Sequence, residues 1–384
     1  MNDAPAASRG PLTGVRILEL GGIGPAPYAG MLLGDMGAEV IRIDRPADTG
    51  RANPFPVLHR NRRSITVDLK DAGGVALVRD LVRGVDAVIE GFRPGVAERL
   101  GLGPDALLDR NPALVYGRMT GWGQDGPLAQ EPGHDINFIA LTGVLEAIGT
   151  PEEPLPPLNL VGDMGGGMFL ALGVLGAVVG ARASGRGQVV DAAMTDASAS
   201  MMAMVHDFRN AGRWNLARGA NSIDGGSPCY GAYRCADGRH VALGIGDRRS
   251  YLALLDVLGL GDDPTFADRG DRSAWPRMRK VLAAAFAQRD RDDWEQVFAG
   301  RGASFSPVLD LVEATHHPHN RERETFILGP EGRIEPAPGP RFSATPAPRP
   351  QPAPLLGADT DVVLAQAGLS HERVDELRAS GVIG

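Results

Sequence analysis

The 384-residue chain is long enough for two domains, or for one large domain with an inserted lobe, and its 43% hydrophobic and 22% charged residues are ordinary for a soluble globular protein. A net charge of −8 argues against nucleic acid as a main partner, because phosphate neutralisation needs a basic surface; a local arginine cluster can still hold a small phosphorylated ligand. Two cysteines, Cys229 and Cys235, are too few for a disulfide framework or a zinc site, so a reducing cytoplasm is expected.

The first residues, MNDAPAASRGPLTG, hold no apolar run of the kind a secretory leader needs, and the terminal GVIG is not a peroxisomal address. Residues 15–20 (VRILEL) form a short apolar run ending in Gly21-Gly22, which predicts a buried strand entering a turn. A helix is expected over 28–37, then strands over 39–44 (EVIRID) and 64–69 (SITVDL). An amphipathic helix over 74–83 and strands over 85–90 and 114–119 follow. Strands alternating with helices predict an α/β fold with a doubly wound parallel sheet. Residues 164–181 run without a charge, at the lower edge of a membrane span in length; with six glycines and flanking Asp163 and Arg182, a buried core helix is expected instead, and no membrane partner. A strand over 188–191 and a helix over 192–204 come next. Two strands around the turn Ala236-Asp237-Gly238 and helices over 251–258 and 278–288 predict a smaller α+β domain. The expected division is 1–200 for the first part of the large domain, 201–225 for a Gly-rich linker and 226–325 for the small domain. Residues 326–384 then form a proline-dense connector and the return to the large domain.

The stretch LELGGIGPAP lies between a strand and a helix, and Asp44 closes the next strand 20 residues after Gly24. That spacing suits a dinucleotide site. Against it, the third glycine is missing, and two prolines stand where backbone N–H groups should face a pyrophosphate. Of the 39 basic residues, all but Lys70 and Lys280 are arginine. Arg45 at a strand end, and Arg93 and Arg99 in EGFRPGVAERLGLG, suit phosphate, since a guanidinium donates two parallel hydrogen bonds; a solvated surface is the commoner fate of such residues.

His134 stands between Gly133 and Asp135 at the start of an apolar helix, and taken singly it is a helix-start residue. Asp163 precedes the uncharged helix, and taken singly it is an N-cap. The glycines at 165–167 beside it sacrifice helix propensity, at about 1 kcal/mol each, which calls for close approach of a ligand or another helix.

Together GHDINF, NLVGDMGGGM, ELGGIGPAPYAGMLLGDMGAEVIRID, NRRSITVDLK, EGFRPGVAERLGLGP and GRMTGWGQDGP resemble the family III coenzyme-A transferases, within them the α-methylacyl-CoA racemase branch. GRGQVVDAAM, DGGSPCYGAYRCADGRHVALG and HHPHNRERETF extend the likeness over nearly the whole chain. The resemblance implies a large Rossmann-like domain plus a small domain in an interlocked homodimer, and an acyl-CoA thioester as substrate. It implies no cofactor beyond coenzyme A itself, and no metal. It makes the Asp matching Asp163 the nucleophile in transferases, and in racemases one of two acid/base residues, the other matching His134. Ile23, Arg45, Val67, Arg93, Arg99, Gly133 and Asp135 fall on CoA-contacting positions. The implied reaction is epimerisation of a 2-methylacyl-CoA; transfer of CoA, or CoA binding with impaired chemistry, are the alternatives.

Three residues depart from the family pattern. Asp247 stands where racemases carry a Glu that supports the catalytic His, Arg248 replaces a Pro, and Cys229 replaces an aromatic. The amides of residues 164–166 are placed to steady an enolate oxygen at a helix start. Met201, Met202 and Met204 are expected in helix core, and His316, His317 and His319 in a surface turn.

Overall fold

The computed structural model describes residues 10–384; most of the segment that bears on a leader, residues 1–9, lies outside the described residues. The chain divides into two units. The large one holds the residues up to Thr142, Leu158–Met201 and Glu324–Gly384, and the small one holds Gly143–Pro157 and Met202–Arg323.

In chain order the elements are β1 (Arg16–Leu20), α1 (Pro25–Asp35), β2 (Glu39–Asp44), β3 (Arg62–Thr66), α2 (Ala72–Leu81) and β4 (Ala87–Glu90). Short helices α3 (Val96–Arg99) and α4 (Pro104–Leu108) lead to β5 (Val115–Thr120) and α5 (Asp135–Leu141). After α6 (Val144–Ala147), which belongs to the small unit, come α7 (Gly165–Ser184), β6 (Gln188–Ala193) and α8 (Met194–Met201). The six strands form one sheet in the order β3-β2-β1-β4-β5-β6, and every neighbouring pair is parallel. The chain therefore winds outward from β1 in one direction and then, from β4, in the other. The carboxyl ends of β1 and β4 flank the switch point, where such sheets open a crevice for ligands.

Successive strand residues point to opposite faces, so both faces of the sheet are apolar. Leu18, Leu20, Ile41, Ile43 and Ile65 meet Leu77, Val78 and Leu81 of α2 on one side. Ile17, Val40 and Ile89 meet Leu33 of α1 and Leu170, Val174 and Val178 of α7 on the other. Each such side chain contributes roughly 1.5–3 kcal/mol of transfer free energy on burial. A β-carbon on Gly117 of β5 would stand 2.9 Å from Val174 and 3.0 Å from Leu170, so glycine there sets how closely α7 approaches the sheet.

The uncharged run is only half the buried helix that its composition suggests. With the turn before it, α7 is long and apolar enough to cross a membrane by length and composition, and half of it is packed inside the unit. Its outer face leaves Leu172 68% and Val179 71% exposed. Apolar composition all round predicts burial all round, whereas this outer face is exposed.

Buried arginines are paired with buried carboxylates. Glu19 on β1 is fully buried between Arg42 and Arg62, and Arg62 reaches it across Gly30, where a β-carbon would lie 2.5 Å from the guanidinium. Burial by itself pushes the Glu19 carboxyl up, but the two guanidinium groups hold it below the usual carboxylate range.

The small unit continues with α9 (Ala203–Asn210), β7 (Tyr230–Arg234), β8 (His240–Gly244), α10 (Arg248–Leu258), α11 (Trp275–Phe286), α12 (Arg291–Phe298), β9 (Phe305–Pro307), α13 (Glu313–His316) and α14 (Pro318–Glu322). Its antiparallel sheet β7-β8-β9 packs on helices around Phe286, which contacts Tyr233, Trp294, Phe298 and Phe305. Residues 201–225, expected as a linker, are built into this unit from Met202 onward, because Asn221 is buried and its amide donates to Asn215 O and Asp224 Oδ2. Residues 143–157, expected in the large domain, also belong here, since Arg218 donates to the carbonyls of Glu146 and Thr150. The return segment adds a hairpin, β10 (Phe326–Leu328) with β11 (Ile334–Pro336), then α15 (Thr360–Gln366) and α16 (His371–Ala379) to the large unit.

Candidate active site

The loop after β1 is shaped by Gly21, Gly22 and Gly24, all at positive φ; Gly24, at φ 67° and ψ −119°, has a conformation only glycine adopts readily. A β-carbon on Gly22 would lie 4.0 Å from Gly91 after β4, so the two loops of the switch point meet there. Pro25 and Pro27 occupy the first turn of α1 and remove two amide donors. What faces the loop is a carboxylate, with Asp163 Oδ2 3.5 Å from where a Gly24 β-carbon would be. Asp44, the ribose acid of the dinucleotide reading, is engaged by Arg42 Nε at 2.8 Å and Ser64 Oγ at 2.7 Å. The strand order is that of a dinucleotide fold, but the loop chemistry is not.

Asp163 is not a simple N-cap. It sits within a π-helical turn, Leu160–Met164, that runs directly into α7. The Met164 amide donates to Asn159 O at 3.2 Å, and that of Gly165 to Leu160 O and Gly162 O. These amides are therefore not the free donors expected for an enolate oxygen, because the wider turn has already used them. The glycine triplet is explained by close packing on three sides. β-Carbons at 165, 166 and 167 would run into Met201, into Met194 (2.7 Å) and into Pro25 O (2.6 Å) respectively. Met201, expected in the core, is 49% exposed and lies over Gly165; Met204 is 54% exposed.

The half-buried Asp163 carboxylate accepts from Asn159 Nδ2 at 3.1 Å. Burial raises its pKa; the Asn159 bond lowers it, the neighbouring Asp135 raises it and His134 lowers it, leaving the carboxyl above its ordinary value. Asn159 was not legible as a site residue, and its only sequence signal is the helical i, i+4 spacing to Asp163.

His134 is the exposed, extended N-cap of α5, at φ −129° and ψ 173°. Its N–H donates to Asn137 Oδ1 at 3.0 Å, and its carbonyl accepts the Asn137 N–H at 2.8 Å. Gly133 is needed beside it: a β-carbon there would come within 2.6 Å of Phe138 and 3.1 Å of Trp122, two rings packed edge to face at 4.7 Å. Asp135, only 7% exposed, turns its carboxylate away from solvent and accepts the Asp163 N–H at 2.8 Å. His134 and Asp163, 29 residues apart in sequence, are thus joined through the residue next to the histidine.

The remaining predicted positions line the carboxyl ends of four adjacent strands: Val67 directly after β3, Arg45 directly after β2, Ile23 after β1 and Arg93 after β4, with Arg99 closing α3. Ile23 is 78% exposed, and Arg93 and Arg99 are exposed as well. The Arg45 side chain is largely in solvent, paired with Asp48 at 2.8 Å. Val67 is different, because its side chain is buried in the core, its N–H donates to Asp44 O and it bridges to Ile383. Any ligand contact at Val67 falls to its remaining backbone atoms. Asp247 lies in the small unit as the N-cap of α10, accepting from Ser250 N and Ser250 Oγ, each at 2.9 Å. Those bonds hold its carboxyl below the usual range.

A six-stranded parallel sheet of this order, joined to a small α+β unit and carrying a half-buried carboxyl beside the loop at its switch point, defines an α/β enzyme fold with a ligand crevice. The model of CoA-transferase family III matches residues 12–360, and the chain belongs to that family. It is 41% identical to the alpha-methylacyl-CoA racemase of Mus musculus and 39% identical to that of Homo sapiens, in each case over 97% of both chains. These likenesses make it an enzyme of the racemase-like, isomerase kind. A succinyl-CoA–D-citramalate CoA-transferase of Chloroflexus aurantiacus is 32% identical over 97% of this chain and 98% of its own. Among solved structures, a CaiB/BaiF family protein from Brucella suis superposes with a TM-score of 0.81 at 26% identity, covering 94% of this chain and 100% of its own.

Proposed function

We propose that the enzyme inverts the α-carbon of 2-methylacyl-CoA thioesters by 1,1-proton transfer, with His134 and Asp163 as the two acid/base residues. The observation that carries this reading is the bond from the Asp163 N–H to Asp135, the neighbour of His134, which brings the histidine's segment onto the turn of a half-buried carboxyl whose acidity burial has weakened. A proton relay works best when its two groups have similar proton affinities, and raising the carboxyl moves it toward the imidazole. In one direction neutral His134 takes the α-proton, breaking the C–H bond and leaving an enolate. Protonated Asp163 then supplies a proton to the opposite face, forming the new C–H bond. The reverse direction exchanges the roles, so no redox step arises and no cofactor beyond the CoA of the substrate is required. The exposed Arg45, Arg93 and Arg99 are assigned to the phosphates of CoA. The buried thiols Cys229 and Cys235 suit the reducing cytoplasm in which we locate the enzyme, and we read it as a homodimer.

The relatives that are named CoA-transferases support a second reading, in which the Asp163 carboxylate attacks the thioester carbonyl and expels the CoA thiolate. Incubating the enzyme with a chiral 2-methylacyl-CoA in D2O separates the two. Deuterium uptake at the α-carbon with loss of stereochemical purity is expected. Transfer of CoA onto an added carboxylic acid, releasing the 2-methyl acid without deuterium uptake, would replace the racemase reading with the transferase.

A further inference from the structure

Asp135 is buried, one residue from His134, and holds the main chain of Asp163 by a hydrogen bond. A carboxylate in that position does more than contribute to packing. Its Oδ2 accepts the N–H of the catalytic residue itself, while the next two amides, of Met164 and Gly165, go to main-chain carbonyls. Its Oδ1 is buried with no hydrogen-bond partner among the described residues. Gly162 makes the contact possible, because a β-carbon there would stand 2.5 Å from Asp135 Oδ2. The family resemblance casts Asp135 as a CoA contact, whereas its carboxylate faces inward, onto the turn that carries Asp163.

We infer that Asp135 is the positioning residue for Asp163: its carboxylate locks the π-turn and sets the direction in which the Asp163 carboxyl faces the crevice. The inference rests on the racemase reading for its kinetic consequence, but not for its electrostatic one. The titratable groups that bear on Asp163 are Asp135, the first residue of α5, and His134, its N-cap. Asn159 adds a neutral donor, α8 presents Met194 and Met201 to the adjoining turn of α7, and α1 presents Pro25 and Tyr28. Tyr28 keeps its proton, as burial raises its pKa. Among the described residues Asp135 is therefore the carboxylate opposing ionisation of Asp163, adding to burial in keeping its proton affinity up.

Three variants test this. Asp135→Asn keeps an acceptor for the Asp163 N–H but removes the charge. Asp135→Ala removes both, and Gly162→Ala pushes the carboxylate off the turn from the other side. In protein carrying ¹³Cγ-labelled Asp, with Asp163→Asn used to assign the resonance, the Asp163 titration is expected to move to lower pH in Asp135→Asn. With a 2-methylacyl-CoA, Asp135→Ala and Gly162→Ala are each expected to lose roughly 10–100-fold in kcat with little change in KM, the size of loss that follows a misplacement near 1 Å. Melting curves of all three identify any variant that fails to fold, and the Asn variant is the mildest of them. An Asp163 titration unmoved by Asp135→Asn, or a wild-type kcat in a folded Asp135→Ala, overturns the inference. If wild-type protein takes up no deuterium, the racemase reading falls while the titration still decides the role of Asp135.

Discussion

His59 is 5% exposed and lies among Glu19, Arg42 and Arg62, with Nδ1 3.1 Å from Phe55 O and no partner for Nε2 among the described residues. Burial, and next the charge of Arg42, push its pKa down to about 4. A histidine in this state is neutral when folded and more basic when unfolded. Above its ordinary value of 6.5 it contributes nothing to the pH dependence. As pH falls from 6.5 toward 4 the unfolded chain binds the proton first, so stability is lost across that window, by at most about 3 kcal/mol. His59→Gln, which cannot take up the proton, is therefore expected to lose less thermal stability than wild type between pH 7 and pH 4.5. Equal slopes of Tm against pH in the two proteins would assign the acid loss to other groups. Nothing in the sequence marks this histidine, because a buried cluster of one carboxylate and two guanidinium groups is assembled from β1, β2 and β3 only once the sheet forms.

At the scale of the element, Asp247 is the instructive case. The sequence resemblance raises the expectation that it supports His134, while its local geometry is that of a helix cap, with Ser250 meeting both of its oxygens. Asn caps a helix as well as Asp does, so Asp247→Asn isolates the charge from the cap. The geometry predicts a kcat within about two-fold of wild type for Asp247→Asn, and a lower Tm for Asp247→Ala. A large fall in kcat for the Asn variant would give Asp247 a second role beyond the cap. The regular elements were legible because branched aliphatic runs such as EVIRID have one use in a parallel sheet, and β2 spans the residues that its pattern indicates. The π-turn was not legible, since no local pattern separates it from an ordinary helix start. The role of Asp163 could be read only from the motifs around it, and the bond from Asp135 that fixes its direction spans 28 residues.

For the molecule as a whole, α7 poses the largest question. One side is core, and the other exposes Leu172, Val179 and Phe169 beside Gly176 and Gly180, where an added β-carbon would meet nothing within 4 Å. A contiguous apolar face of this kind on a folded unit marks a surface that is covered in use. A membrane is a poor occupant, because the opposite side of the same helix is packed against β5 and α1 and could not face lipid without dismantling the sheet. A second copy of the chain fits better, since small residues on a helix let another backbone come close. The wild-type enzyme is therefore expected to sediment at twice the chain mass, and Leu172→Asp as a monomer. The substitution lies on an exposed position, so the folded unit should keep its Tm and far-UV spectrum, which distinguishes lost association from unfolding. His134, Asp135 and Asp163 all belong to one unit of one chain. The monomeric variant should then keep the raised Asp163 titration even if its turnover falls, and a collapse of that titration would mean that the second chain completes the site. Binding of the wild-type enzyme to lipid vesicles, with no dimer at any concentration, would instead assign the face to a membrane surface.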